Sequence, residues 1–586
     1  MSSHRTPSSD RTQTKDLDDV DKKNIIRVPS PESVKSELAA DPELNVIPSP
    51  NAQRDECVTG FKLFNIITAV ALVTFLMLLD TSIVSTAIPR ITSELHSLAD
   101  VGWYGSSYQL ACAAIQPLTG RVYMNLSTKW TFVFFFFVFE LGSLICAIST
   151  SSKMLIVGRA VAEIGGSGIL NGAFTIVSGC VPMSRRPTMI GLVMGGKYSP
   201  ILGLFFSGGL SSWTIGWRCI DGVYNMGGHT KGYSEANIYT TGFCINLPIG
   251  GLVAIMLTFF KIPEVLPKQK FITAIRGLPG QLDLIGFALF APSAIQLLLA
   301  LQYGGNKFTW HCTQVIGLFC GAGVTFIAFL LWGYRQGDKA MIPFAMIRKT
   351  IVWSSCLSYG LLMAQVFCVL WYLPQYFQGV KNDSPLMSGV HLLPSILAHL
   401  FGAVLSGKII ERVGYYLPII IISTSLTTVS NGLLSMLSPH TSTGKWIGYQ
   451  ILLGLSRSLG LQIPIIAVQH VLPPSQIPIA TALVMFSQTF AGALFLSFSD
   501  TIFTNSLSTL IPIYCPSVDP HTIINAGATE FRSYVSQLEL PEVLLAYAKS
   551  VDRVFYLTTG MACGSLLFSC FMGWRDIRAK NSVSTA

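Results

Sequence analysis

Apolar runs of about 20 residues, separated by short polar loops, recur along the chain from Phe61 to Gly573. A run of that length, wound as a helix rising 1.5 Å per residue, matches the ~30 Å hydrocarbon core of a bilayer. The pattern predicts fourteen spans. Six lie at 61–84, 103–123, 131–150, 154–178, 188–212 and 243–262, two at 282–303 and 312–334, and six at 350–373, 388–407, 417–437, 446–468, 478–501 and 553–573. Residues 1–60 are rich in Ser, Pro, Asp and Lys and have no apolar period, which predicts a disordered cytosolic tail.

Composition agrees. Only 12% of residues are charged, against about 25% in soluble domains, and 51% are hydrophobic, with a mean hydropathy of +0.53. The fold class predicted is an all-α polytopic membrane protein. The net charge of +9 does not point to nucleic acid, because Lys and Arg gather in loops on one side. With the tail inside, inner loops hold Arg121, Lys129, Arg185, Arg186, Lys268, Arg335, Lys339, Arg348, Lys349, Lys408 and Arg412. The thirteen cysteines lie mostly singly within apolar runs, without metal-ligand spacing, and are read as small apolar residues. No metal or cofactor site is expected, and no phosphate-binding loop is present to supply ATP.

The two outer groups of six spans echo each other. Gly120-Arg-Val-Tyr-Met-Asn-Leu-Ser-Thr-Lys-Trp130 follows span 2, and Gly407-Lys-Ile-Ile-Glu-Arg-Val-Gly-Tyr-Tyr416 follows span 10. Gly158-Arg159 in span 4 returns as Ser456-Arg457 in span 12. The echo predicts a tail (1–60), a six-helix bundle (61–262), a two-helix insert (263–349), a second six-helix bundle (350–575) and a short cytosolic tail (576–586).

Arg159 is the most informative residue. A guanidinium stays charged, so its place inside an apolar run costs several kcal/mol unless a partner or a wet cavity receives it. Glu163 stands at i+4, where an ion pair on the same helix face can form, and two readings stay open for it, proton carrier or counter-ion that holds Arg159. Asp80 lies near the predicted outer end of span 1, and two readings stay open for it, proton exchange or helix-end hydrogen bonding. Glu140 in span 3 is deep enough that it is expected to be neutral or paired, and Asp283 is expected at the interface.

Several segments together are similar to the major facilitator superfamily, in the fungal branch of its fourteen-span drug:proton antiporter group. They are Leu79-Asp-Thr-Ser-Ile-Val-Ser-Thr-Ala-Ile-Pro89, Leu155-Ile-Val-Gly-Arg159, Asn246-Leu-Pro-Ile-Gly-Gly251, Leu373-Pro-Gln-Tyr-Phe-Gln378, Ser388-Gly-Val390 and Gly448-Tyr-Gln-Ile-Leu-Leu-Gly454. The resemblance runs from about Phe61 to Trp574. It implies two six-helix bundles with a substrate cavity between them, and proton coupling at Arg159, with Glu163 and Asp80 as further candidates. It implies gating roles for Gly120, Arg121, Lys129, Glu411 and Arg412. It also implies that Gly195, Pro200 and Gly203 belong to the glycine-rich antiporter motif of span 5. Departures are Glu163, Ser199 and Leu204, where the family usually has glycine, Met124 in place of an aspartate, and Lys197 within span 5. Polar candidates for the substrate cavity are Gln109, Gln116, Asn171, Gln365, Tyr376, Gln462 and Gln488.

Two stretches stand apart. Residues 219–242 are polar, glycine-rich and aperiodic, and read either as a flexible external loop or as a short intron translated in frame. Residues 504–552 predict short external helices broken at Pro541.

The expected function is proton-coupled efflux of a hydrophobic small molecule by a monomeric carrier, most simply in the plasma membrane. Alternatives are an iron-chelate transporter on the same fold and a non-transporting paralogue. An enzyme is not expected.

Overall fold

The computed structural model describes residues 58–94, 101–197, positions scattered between 250 and 268, 282–304, 308–524 and 531–578. All belong to one compact unit, Cys57–Ala586. Among the described residues the regular structure is helical, apart from two isolated bridges, Gly304–Phe308 and Tyr415–Asp576. The chain is thus the all-α membrane protein its periodicity predicts.

The first half contributes α1 (Phe61–Glu94), α2 (Val101–Asn125), α3 (Thr128–Ala147), α4 (Ser152–Cys180) and α5 (Arg186–Lys197). The insert is α6 (Leu284–Tyr303) and α7 (Thr313–Gln336). The second half holds α8 (Thr350–Gly379), α9 (Leu393–Val413), α10 (Leu417–Leu434), α11 (Thr443–Gly460), α12 (Ile463–Val471), α13 (Ile477–Tyr514) and α14 (Leu540–Ser569). Eleven membrane-crossing candidates meet length and hydropathy requirements among the described residues, with α11 and α12 forming one of them. The second predicted span is also a helix, α2. The spans at 188–212 and 243–262, the tail and residues 219–242 lie wholly or largely outside the described residues.

Helix ends follow local chemistry. Ser151 caps α4 by accepting the Met154 N–H, and proline stands in the first turn of α9, α10, α12, α13 and α14, where its missing N–H has no helical partner to lose. This corrects the expectation for Pro541, which starts α14 rather than breaking a helix. α13 likewise runs on to Tyr514, well past the predicted end at 501. The segment between them is stitched to the second half: Phe531 stacks on Tyr547 at 5.3 Å, and Arg532 donates to the carbonyls of Gly379 and Val380 at 2.9 and 3.0 Å.

Small residues set how closely α3 and α4 approach. A Cβ at Gly142 would lie 2.2 Å from Ala162 N, and one at Gly165 would lie 2.4 Å from Phe139 N. Backbone-to-backbone packing of this kind is how membrane helices associate without a hydrophobic drive between them. It fixes the rotation of α4, and with it the direction Arg159 takes.

Asp283 does more than mark an interface. It sits at φ 46, a conformation that Asp tolerates because its short carboxylate bonds locally. Its carboxylate caps α6 through Gly286 N (3.0 Å), accepts the Trp332 indole N–H (2.7 Å) and accepts Met341 N (2.7 Å). It thereby ties both insert helices to the strap that leads into α8. Asp283→Ala removes three hydrogen bonds to one acceptor and leaves a left-handed alanine, with an expected cost of about 2–4 kcal/mol. Thermal unfolding of the purified variant should show a lower midpoint, with the melting traced to the insert.

Candidate functional site

α1 is 34 residues long, about 51 Å at helical rise. It continues fourteen residues beyond Asp80, so Asp80 lies within the helix, just past the apolar window Gly60–Met77. The side chain is wholly buried. Its Oδ2 meets Arg159 Nη1 of α4 at 2.5 Å, and its Oδ1 accepts from Ser143 Oγ of α3 at 3.3 Å. Arg159 is buried to 1% exposure. Three helices of the first half therefore meet at one buried ion pair. Asp80, from 79 residues away, thus pairs with Arg159, a partner that helix spacing alone does not suggest. Glu163 is itself buried, and a Cβ at Gly166 would lie 2.9 Å from its Oε2 and 3.1 Å from Met77 Sδ of α1.

The second half has a buried polar cluster of its own. Gln365 of α8 and Asn431 of α10 are joined there by a 2.5 Å hydrogen bond from Asn431 Nδ2 to Gln365 Oε1. Arg457 of α11, the echo of Arg159, is buried to 2%. The echo of the two halves in the sequence points to Arg457 but not to Ser143 or Asn431.

The gating candidates gather at the end that carries the basic loops, and there the halves touch. A Cβ at Gly120 of α2 would lie 2.7 Å from Ile479 Cα of α13. A Cβ at Gly407 of α9 would lie 2.6 Å from Thr188 Cα of α5. The two echoed glycines thus do the same job, each letting its helix close on the opposite half. Thr188 Oγ1 donates to Glu411 Oε2 at 2.9 Å across this seam. Arg121 donates to the carbonyls of Asp338 and Ala340 in the insert, Lys129 donates to Thr258 O at 2.7 Å, and the Arg412 carbonyl accepts from Arg578 at 3.0 Å. The two halves are therefore in direct contact at this end. A shallow cleft at this end is lined by Tyr123, Thr128, Lys268 and Pro478. Gly195 falls near the end of α5, while Pro200 and Gly203, with the side chain of Lys197, are outside the described residues.

Most of the polar side chains expected to line a substrate cavity are engaged with protein. Gln116 donates to Ser167 O (3.3 Å) and accepts from Cys112 Sγ (3.0 Å). Asn171 bridges Thr119 and Pro478 O, which places it at the cytosolic seam. Gln365 binds Asn431, Tyr376 donates to Ser438 O (2.8 Å), Gln462 donates to Ser406 Oγ (2.9 Å), and Gln488 accepts from Tyr359 (3.1 Å). Gln109 is half-buried.

Comparison with known proteins agrees with this architecture. A family profile described as the Major Facilitator Superfamily matches residues 70–496. The MFS-type transporter pigP of Monascus ruber is 55% identical over 522 residues, 89% of this chain and 88% of its own length. The efflux pump mlcE of Penicillium citrinum is 44% identical over 538 residues, covering 90% and 93%. Among solved structures, the proton:xylose symporter XylE has a TM-score of 0.53 at 13% identity, covering 87% of this chain and 95% of that one. The human organic anion transporter MFSD10 also scores 0.53, at 12% identity, covering 86% and 100%. At these identities the structural likeness speaks for the fold.

Proposed function

This chain belongs to the major facilitator superfamily, a multi-pass transporter and not an enzyme, and on that premise we propose that it exports hydrophobic small molecules in exchange for protons. The observation that carries the reading is the buried Asp80–Arg159 pair. A carboxylate held by a permanent cation is a two-state element: protonation of Asp80 removes the charge that holds Arg159, and deprotonation restores it. Alternating access then follows as rocking of residues 61–262 against 350–575 about the cytosolic seam, with the insert 263–349 alongside. Efflux as the direction is supported by relatives named as efflux pumps, among them mlcE and, at 35% identity over 559 residues, roqT of Penicillium rubens. The carrier acts as a monomer in the plasma membrane. An intact ion pair at Asp80 argues against a paralogue that has lost transport.

The test is accumulation of a fluorescent hydrophobic dye in yeast stripped of its own pumps. Cells bearing this chain should hold several-fold less dye, and a protonophore should erase the difference. Equal accumulation with the protein verified at the surface, for a panel of neutral, cationic and anionic dyes, would count against a broad exporter.

A further inference from the structure

Glu140 of α3 has two carboxyl oxygens, both sealed from solvent, and neither has a hydrogen-bond partner. It lies against the backbone of the sixth span, where a Cβ at Gly250 would come within 2.3 Å of its Oε1. A bare carboxylate in such a place costs several kcal/mol, because neither water nor a donor replaces its hydration. Membrane spans keep ionisable groups that face a pathway or bind a partner, and this one has no partner.

Its surroundings bind it to the ion pair. Ser143, one turn further along α3, donates to Asp80. Asp80 on α1 is the charged group in electrostatic reach of Glu140. α4 offers Arg159, already paired with Asp80. The stretch 250–258 that packs on it carries no titratable residue, and the next on its own helix is Cys146. Among the described residues near Glu140, the cation these elements offer is Arg159, which pairs with Asp80.

We propose that Glu140 is a second proton-binding carboxyl of the transport site, protonated while the cytosolic end is closed. The proposal rests on the proton-driven reading above. When the halves rock open and water reaches the carboxyl, its proton passes to water, and the carboxylate left behind is hydrated. When they close, one proton returns from water and the neutral acid is sealed again. The glycine at position 250 is what lets backbone stand directly on the acid.

The experiment uses full-length protein in lipid nanodiscs and records the infrared C=O stretch of protonated carboxyls at neutral pH. It is paired with dye efflux from proteoliposomes as a function of pH. The native protein should show a sealed acid band that Glu140→Gln loses and Asp80→Asn keeps. Glu140→Gln should also lower the order of efflux in protons from near two to near one. Glu140→Asp, which retains a carboxyl, should restore both, and thermal unfolding verifies that each variant is folded. A band unchanged in folded Glu140→Gln, or a proton order equal to the native one, overturns the proposal. If Asp80→Asn and Arg159→Ala also leave efflux and its proton order untouched, it is the proton-driven reading that fails, and with it the role given to Glu140.

Discussion

Arg159→Ala should abolish proton-driven efflux and destabilise the protein by about 3–5 kcal/mol, because it leaves the buried Asp80 carboxylate without its cation. The two effects are separable. Neutralising both partners, as in Asp80→Asn with Arg159→Gln, removes the unpaired charge and should recover most of the stability, since a buried ion pair is often no more stabilising than a neutral replacement. Proton-driven efflux should stay absent in the double variant, because the pair between α1 and α4 can no longer change charge. Measured by thermal unfolding and dye efflux at equal surface amount, stability that returns without transport would identify a coupling pair. Return of both would reduce it to a strut between α1 and α4.

Gly120→Val should trap the carrier away from its closed cytosolic state. The added Cβ would stand 2.7 Å from Ile479 Cα and 3.0 Å from Pro478 O, and backbone cannot step aside as a side chain can. Overpacking of this kind costs about 1–3 kcal/mol, which corresponds to a shift of roughly 5- to 150-fold in the balance between closed and open. Gly407→Val should act the same way through Thr188. A cysteine placed at Ser475, in the loop entering α13, should react several-fold faster with a cytosolic maleimide in either variant than in the native chain. An unchanged labelling rate in both would mean that this seam does not open during the cycle.

Much of the architecture is written in the periodicity. Spans of about 20 apolar residues, the basic inner loops and the echo of Gly120 in Gly407 are all local signals, and they describe the helices that form. What escapes is side-chain direction. Glu163 is the natural partner for Arg159 when only helix spacing is known, because i and i+4 share a face. Helical side chains, however, lean toward the N-terminus, so Arg159 reaches back over the preceding turn. There it finds Asp80, 79 residues away in sequence, once Gly142 and Gly165 have seated α4 against α3. Asp80 looked terminal because the apolar run fades after it, although the helix continues to Glu94. Pro541 reads as a breaker or a starter equally well until the chain on either side is known. The glutamines and Asn171 read as cavity residues because polar groups inside spans need an explanation. The structure supplies a different one for most of them, hydrogen bonds to neighbouring helices that composition cannot reveal.

The central claim is that charge exchange at Asp80 couples protons to export. It is tested most directly in proteoliposomes loaded with a pH-sensitive dye, by adding a transported hydrophobic dye and recording proton movement for the native chain and for Asp80→Asn. The account predicts dye-dependent proton flux in the native protein and none in Asp80→Asn, with downhill dye movement retained. Proton flux that persists in Asp80→Asn at the native rate would contradict it.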